Sequence, residues 1–464
     1  MFRYGESGES AQAVTGLWTA IGLQQLTIKS GPFVTVVRPF MANLDKETPM
    51  LESYFSAPKT LRRLRAGPSG PHIDGFSDAL ERDRYARASA VRYLRAAAHL
   101  GCFVDRKGYV LGDIDEPMLE VFARHLARCR CPLSNGGKTG YHARFGVKLF
   151  YQHLVQHGIC QDHSIPGAQS IEPALVTAFR DWFQMHRGAT PSTLRQYTRD
   201  ATDLIRALGE DVGQWNVGAV RDYLLDRAGR CAAPTTQHLI TSLRAFLRYL
   251  NFRGESRDDL ALAVPAIAHW RLATLPHCLS AQELDRLIAA CDGTTPGRLR
   301  DRAILLLLSR LGLRAADVAQ LRLNDIDWTN GTLQVMGKGR YQVRLPLPQD
   351  VGDALARYLN CRPRVEQTDR VFLRSIAPCK PFASGDGVSS VVRQALRRSG
   401  VEAPAKGAHL LRHTAATQML RHGVPLDQIG LVLRHRSIDM TAYYAKVDVA
   451  LLQQIAQPWP GVNS

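Results

Sequence analysis

"HLLRHTAATQMLRHGVPLDQIGLVLRHRSIDMTAYYAKV", residues 409–447, decides how the chain is read. Gly423 closes a first helix and Pro425 opens a second. On the first, His409, Arg412 and His413 fall within roughly one-third of the circumference at 3.6 residues per turn. Leu411 and Ala415 lie on the opposite, core-facing side, and Leu426, Ile429 and Leu433 form the buried stripe of the second helix. His435 stands at its end. Tyr443 and Tyr444 follow on a third helix, about 100° apart, so only one of them can face a given partner.

Upstream, "GTLQVMGKGRYQVRLPLP" at 331–348 has two alternating stretches around a Gly-rich turn, the pattern of a β-hairpin with Lys338 in or beside the turn. "LGLRAADVAQLRLNDIDW" at 311–328 places Arg314 just past a helix and Asp317 three residues on, on the same face of a new turn. The preceding helix, "DRAILLLLSRLG", is apolar nearly all round, which predicts burial, and Gly312 stops it. "SAQE" at 280–283 is a capping-box signature, with Leu284, Leu287, Ile288 and Cys291 at core-facing spacing behind it.

The 464 residues are enough for two to four domains, and 45% hydrophobic content supports a substantial core. A formal net charge of +17 points to a polyanionic partner: nucleic acid first, an anionic membrane surface second. The longest purely apolar run, residues 303–308, is far short of the roughly 20 residues a membrane span needs, and no signal-peptide pattern opens the chain. Nine scattered cysteines argue against a disulfide framework and for a reducing cytoplasm. "NGGKTG" at 135–140 looks like the end of a phosphate-binding loop, but the glycine that loop requires falls on Pro132. Cys129 and Cys131, with His125 and His142 nearby, raise zinc. The C-x-C spacing lacks a second pair, so they read as scattered thiols and no metal is expected.

Residues 1–75 are the least regular and read as a partly disordered extension. "SGPFVTVVRPF" suggests a short strand, "AGPSGPHIDG" a linker, and "MLESYFSAPKTLRRLR" the start of an amphipathic helix. The first 49 residues are expected to be poorly ordered, or to be upstream sequence ahead of a start at Met50. Residues 76–165 and 171–262 read as two helical domains of similar outline. Each opens on a Tyr- and Arg-bearing helix ("SAVRYLRAAAHL", "STLRQYTRDATDLI"), continues with a short capped helix, and ends on a basic helix ("GYHARFGVKLFYQHLVQHG", "TTQHLITSLRAFLRYLNFRG"). Arg195, Arg199 and Arg206 on one helix, and Arg244, Arg248 and Arg253 on another, recur at helical spacing. Such charge usually marks a solvated face; with this net charge, Arg195, Arg199, Arg244 and Arg248 are candidates for DNA phosphate contacts. A Pro-rich linker follows at 263–279, then a domain at 280–447 and a tail at 448–464 with Leu451, Leu452 and Ile455 at helical spacing.

Singly, each residue of the last third has a plainer reading: a surface arginine, a solvated turn lysine, a histidine at a helix start, core aromatics. Their order resembles the phage-integrase family of tyrosine recombinases. Matching the family's motifs carries Arg314 in "GLR", Lys338 in "GKG", His409 and Arg412 in "HLLRH", and His435 onto its catalytic positions, with Asp317 in a supporting role. Counting nine residues from His435 ends on Tyr444, which the resemblance makes the nucleophile, leaving Tyr443 as a packing partner. Two departures stand out: the family more often has glutamate where Asp317 stands, and its "LGH" is "LRH" here, with Arg434 replacing a glycine.

The resemblance implies a mainly α fold with a small antiparallel β-sheet (α+β): helical N-terminal DNA-binding domains, with 171–262 the core-binding one, ahead of a mixed α/β catalytic domain. It implies a site-specific recombinase or integrase that cuts and rejoins double-stranded DNA through a 3′-phosphotyrosyl link without metal, ATP or other cofactor. Such an enzyme serves integration, excision or transposition of a mobile element. The chemistry suits the residues, because phosphoryl transfer asks mostly for positioning and charge stabilisation. Two arginine forks can hold non-bridging oxygens, and a hairpin lysine can protonate the leaving 5′-oxygen. Partners implied are a homo-oligomer (tetramer) on DNA and related recombinases, with a nucleoid-associated cytoplasmic location and no membrane. A catalytically weak DNA-binding accessory subunit and a type IB topoisomerase-like activity are the competing readings.

Overall fold

A computed structural model describes residues 50–126, 129, 131, 140–161, 172–256, 259–265, 275–336, 342–363, 365, 368–435, 437 and 439–447. The strand expected in "SGPFVTVVRPF", the glycine-rich stretch at 135–139, Lys338 and the tail at 448–464 lie outside these residues. The chain divides into two compact units, residues 162–271 and the rest.

Among the described residues, the larger unit opens with six helices: α1 (Met50–Tyr54), α2 (Pro58–Leu64), α3 (Gly70–Arg82), α4 (Arg87–Arg106), α5 (Glu116–Leu126) and α6 (Gly140–Gln156). They close over Leu51, Phe76, Leu94, Leu100, Phe150 and Leu154. Two expectations are corrected here. The amphipathic stretch from Met50 is two short helices, because Pro58 cannot continue the first and instead opens the second. "AGPSGPHIDG" is a linker only to Ser69: with Pro71 in its first turn, α3 starts at Gly70 and buries Ile73. The folded N-terminal unit therefore reaches back to Met50 rather than starting at 76. Gly146 of α6 lies against Tyr93 of α4, where a Cβ would come within 2.8 Å of the Tyr93 backbone and ring, so only glycine permits that close contact of α4 and α6.

The smaller unit contains α7 (Ala174–Arg187), α8 (Pro191–Leu208), α9 (Val217–Gly229) and α10 (Ala233–Arg253) around Phe179, Leu204, Trp215, Leu243, Phe246 and Tyr249. Its element order repeats that of the N-terminal helices. In both, a long helix (α4 or α8) runs into a 3-10 turn (Leu111–Asp113 or Val212–Gln214), a shorter helix and a final long helix packed on the first. The shorter helix is capped alike in the two: Asp115 Oδ1 accepts from Met118 N at 2.8 Å, and Asn216 Oδ1 from Ala219 N at 2.9 Å. The stretch read as a linker from 263 starts late, since Ala263 and Val264 are buried in this core.

The rest of the larger unit holds α11 (Ala281–Ala289), α12 (Pro296–Arg310), α13 (Ala315–Gln320), β1 (Ile326–Asp327), β2 (Thr332–Met336), β3 (Gln342–Pro346), α14 (Gln349–Cys361), α15 (Gly385–Ser399), α16 (Ala408–Arg421), α17 (Leu426–Leu433) and α18 (Asp439–Ala442). A 3-10 turn, Tyr443–Val447, follows. Ser280 and Glu283 form the capping box. Helix α12 is the axis of the core: Ile304 to Leu308 are all buried, and α14, α16 and α15 pack on it. The sheet is antiparallel in order β1-β2-β3, with Leu333 opposite Leu345 and Val335 opposite Val343. The protein is thus mainly helical with one small antiparallel sheet. Among the described residues no helix is long and apolar enough to cross a membrane.

Candidate active site

The end of the buried helix α12 sets the site. Gly312 follows it at φ +57°, a conformation that favours glycine, and its carbonyl accepts from Arg412 Nη1. Arg412 lies on α16 with its side chain buried, and its Nη2 donates to the Leu433 carbonyl at the end of α17. Arg314, the N-cap residue of α13, donates from Nη2 to the Arg434 carbonyl at 2.8 Å. Both arginines therefore grip successive carbonyls of one turn.

That turn is a Schellman motif: the His435 N–H reaches Gly430 O at 2.9 Å, and the Arg434 N–H reaches Leu431 O at 3.0 Å. The motif requires a left-handed residue, and Arg434 supplies it at φ 54°, ψ 52°. Glycine, which the resemblance leads one to expect here, would adopt this conformation without strain. A non-glycine residue there costs about 1–2 kcal/mol. Here the side chain turns inward, and Arg434 Nη2 donates to Asp317 Oδ2 at 2.7 Å. Asp317 also accepts from the Arg314 backbone N–H at 3.2 Å. The two departures from the family's pattern thus meet in one buried ion pair, and His435 still enters the site from a regular cap.

The histidines and tyrosines close the cluster. His435 Nδ1 lies 2.8 Å from Thr441 Oγ1, which fixes the ring through one nitrogen. Its ring is parallel to that of Tyr444, with centroids 6.3 Å apart and 2° between planes. Tyr444 is only 2% exposed, and its hydroxyl lies 2.8 Å from His413 Nδ1. Tyr443 is half-buried, edge-on to Tyr444 at 5.8 Å. His409, at the start of α16, reaches solvent.

Burial and mutual repulsion govern the electrostatics. Burial, then the charges of Arg314 and Arg434, push Arg412 down to about 9. Burial, then the positive neighbours, hold His413 and His435 at about 4. His409, although exposed as a residue, is also lowered, first by partial desolvation of its ring and then by Arg412 and Arg314. Burial raises Tyr444 to about 12, with Arg412 pulling the other way. Three arginines crowd the site, Asp317 pairs with Arg434, and the mutual repulsion of the arginines suits the cluster to an anion.

Arg314, Asp317, His409, Arg412, His435 and Tyr444 come together; Lys338 lies outside the described residues, in the chain between β2 and β3. His413, Thr441 and the Gly312 carbonyl also belong to the site. His413 was visible in "HLLRH" and on the right face, but its bond to Tyr444 depends on how α16 meets the last turn. Of the four DNA-binding candidates, Arg195 and Arg199 are exposed and, with Arg206, line an open cleft of about 610 Å³ on α8. Arg248 is exposed on α10. Arg244 is half-buried on α10, and its Nη2 donates to the carbonyls of Val264 and Pro265, at 3.1 and 3.0 Å.

Known proteins resemble the chain as follows. The phage integrase family matches residues 277–450. A relative from Sinorhizobium fredii (strain NBRC 101917 / NGR234), carried under the name integrase/recombinase y4rA, is 35% identical over 417 residues, covering 89% of this chain and 99% of the relative. Tyrosine recombinase XerD of Xanthomonas axonopodis pv. citri (strain 306) is 31% identical over 309 residues, 62% of this chain and 97% of XerD. Among solved structures, XerH site-specific recombinase bound to a palindromic difH substrate aligns with 74% of this chain and 96% of its own, at 15% identity and a TM-score of 0.48.

Proposed function

The chain belongs to the phage integrase family and is a tyrosine-type site-specific recombinase, and from that premise we propose that Tyr444 is the nucleophile with which it cuts and rejoins double-stranded DNA. Arg314 and Arg412 hold the non-bridging oxygens of the scissile phosphate through their planar forks. The Tyr444 oxygen attacks phosphorus, the bond to the 5′-oxygen breaks, and the 3′ end stays on the enzyme as a phosphotyrosyl ester. Lys338, matched by sequence, gives a proton to the departing 5′-oxygen. The phenol proton passes to a neighbouring histidine, His413 being in contact with it. A 5′-hydroxyl from the second duplex then attacks the ester and frees the tyrosine. One phosphodiester replaces another, so the exchange balances without ATP.

The observation that carries the assignment is the surroundings of Tyr444. Its hydroxyl is held by His413 and its ring lies parallel to His435, whereas Tyr443 packs at the edge. Burial of Tyr444 describes a docked side chain that must swing out to meet a phosphate. Two duplexes have four strands to exchange, so a homotetramer on DNA, one tyrosine per strand, is the working assembly. The role is integration, excision or transposition of a mobile element, carried out on DNA in the cytoplasm. Related recombinases are further partners, and the exposed Arg195, Arg199 and Arg248 contact phosphates.

The test is a nicked suicide substrate made from the DNA flanking the gene. Wild type and Tyr443→Phe trap a covalent protein–DNA adduct, and Tyr444→Phe does not. The reverse pattern moves the nucleophile to Tyr443, and no adduct from any form leaves a binding subunit.

A further inference from the structure

Four metal-binding side chains converge in the N-terminal helical unit, far along the chain from the recombinase motifs. His99 comes from α4, His125 from the last turn of α5, and Cys129 and Cys131 from the residues just beyond it. Their ligand atoms all lie within 4.8 Å of one another. His99 Nε2 is 3.3 Å from His125 Nε2 and 3.3 Å from Cys129 Sγ, and Cys131 Sγ is 3.7 Å from His125 Nε2. A tetrahedral zinc ion with ordinary bond lengths separates two nitrogens by about 3.4 Å, and nitrogen from sulfur by about 3.6 Å.

We propose that His99, His125, Cys129 and Cys131 form a closed, structural zinc site. Hydrogen bonding alone accounts poorly for the cluster. One imidazole nitrogen offers a single in-plane proton or a single lone pair. His99 Nε2 nevertheless faces a nitrogen and a sulfur at once, and a cation at the common centre satisfies all four atoms. Two thiolates and two imidazoles in a tetrahedral set select zinc over the hard cations, and four protein ligands leave no open position for catalysis. The surroundings fit. His99 is buried edge-on to Phe122, His125 lies over Phe103, and Arg106 Nη1 donates to Cys131 Sγ at 3.0 Å, stabilising a bound thiolate. The site fastens the chain beyond α5 to the middle of α4. The expectation of scattered thiols considered His142. The histidine that completes the set is His99, 30 residues before Cys129, and only the packing of α4 on α5 brings it there.

The assignment does not depend on how the recombinase site works. The full chain, purified without chelator, carries one zinc ion per molecule by elemental analysis. Cys129→Ser/Cys131→Ser loses it, while Cys231→Ser in the smaller unit keeps it. Should the double variant not fold, cobalt(II) exchange into the wild-type chain reports independently, through the absorption of tetrahedral thiolate-bound cobalt. Wild-type protein that holds no zinc and develops no such absorption overturns the proposal. So does stoichiometric iron or copper in place of zinc, or zinc that survives loss of both cysteines.

Discussion

Arg434 donates to Asp317 Oδ2 at 2.7 Å from a backbone position in the left-handed region, so the residue that breaks the family's "LGH" pattern is bonded to the one that departs from its glutamate. The pair is buried, with side-chain exposures of 4% and 14%. Arg434 Nε and Nη1 have no other hydrogen-bond partner among the described residues. Removing the carboxylate strands a buried cation, whereas removing both groups does not.

Asp317→Ala is therefore expected to lower stability by about 3–5 kcal/mol, the usual cost of breaking a buried pair from one side. Arg434→Gly/Asp317→Ala should recover part of that loss, because the cation is gone and glycine accepts the left-handed turn without strain. A double-mutant cycle on urea midpoints measures the coupling. Additive losses would show that the two residues do not act as a pair.

Gly312 links the buried helix to the second arginine. At φ +57°, any Cβ is strained, and here it would lie 2.5 Å from Leu433 Cδ2. Gly312→Ala should cost about 1–3 kcal/mol through overpacking and backbone strain. DNA cleavage should fall with it, since the Gly312 carbonyl holds Arg412. Adding Leu433→Ala removes the clash but opens a cavity at a fully buried leucine, itself a loss of about 2–5 kcal/mol, so it should not restore the midpoint. A wild-type midpoint for Gly312→Ala would refute the strain at this turn.

Much of this was legible in the sequence because it is local. The stop at Gly312, the break at 423–425, the Ser280 capping box and the alternating hairpin are each written within a few residues. The spacing of His435 and Tyr444 was legible for the same reason. What stayed hidden depends on long-range packing. Nothing near His413 states that it meets Tyr444, nothing near Arg434 states that it meets Asp317, and His99 is remote from the cysteines it faces. The bonds of Arg244 were hidden for the same reason: periodicity shows a basic face but not the carbonyls of Val264 and Pro265 brought beside it.

The Ser280 cap gives a prediction where sequence and structure agree. Ser280 Oγ accepts from Glu283 N at 3.3 Å, and Glu283 Oε2 accepts from Ser280 N at 2.8 Å. Ser280→Ala should destabilise the larger unit by about 1 kcal/mol, and Ser280→Asp should retain most of the stability. Thermal unfolding of the two variants checks this; equal midpoints for alanine and aspartate would count against the cap.

Acid should loosen the protein through its buried histidines. Burial first, then nearby positive groups, hold His153, His413 and His435 at about 4, against 6.5 for an exposed histidine. His153 is faced by His157, His72 and Arg82; His413 by His409, Arg412 and His277; His435 by Arg412, Arg314, His413 and Arg434. A lowered folded-state pKa means that the unfolded chain binds these protons first. The contribution is whole above pH 6.5 and is lost as pH falls toward 4, with a slope of about 1.4 kcal/mol per pH unit for each histidine that stays neutral in the fold. Urea midpoints measured across that window should fall with pH, and His153→Gln should remove one proton's share of the slope without touching the recombinase site. A flat profile between pH 6.5 and 4 would mean that these side chains take up protons in the folded state as readily as in the unfolded one.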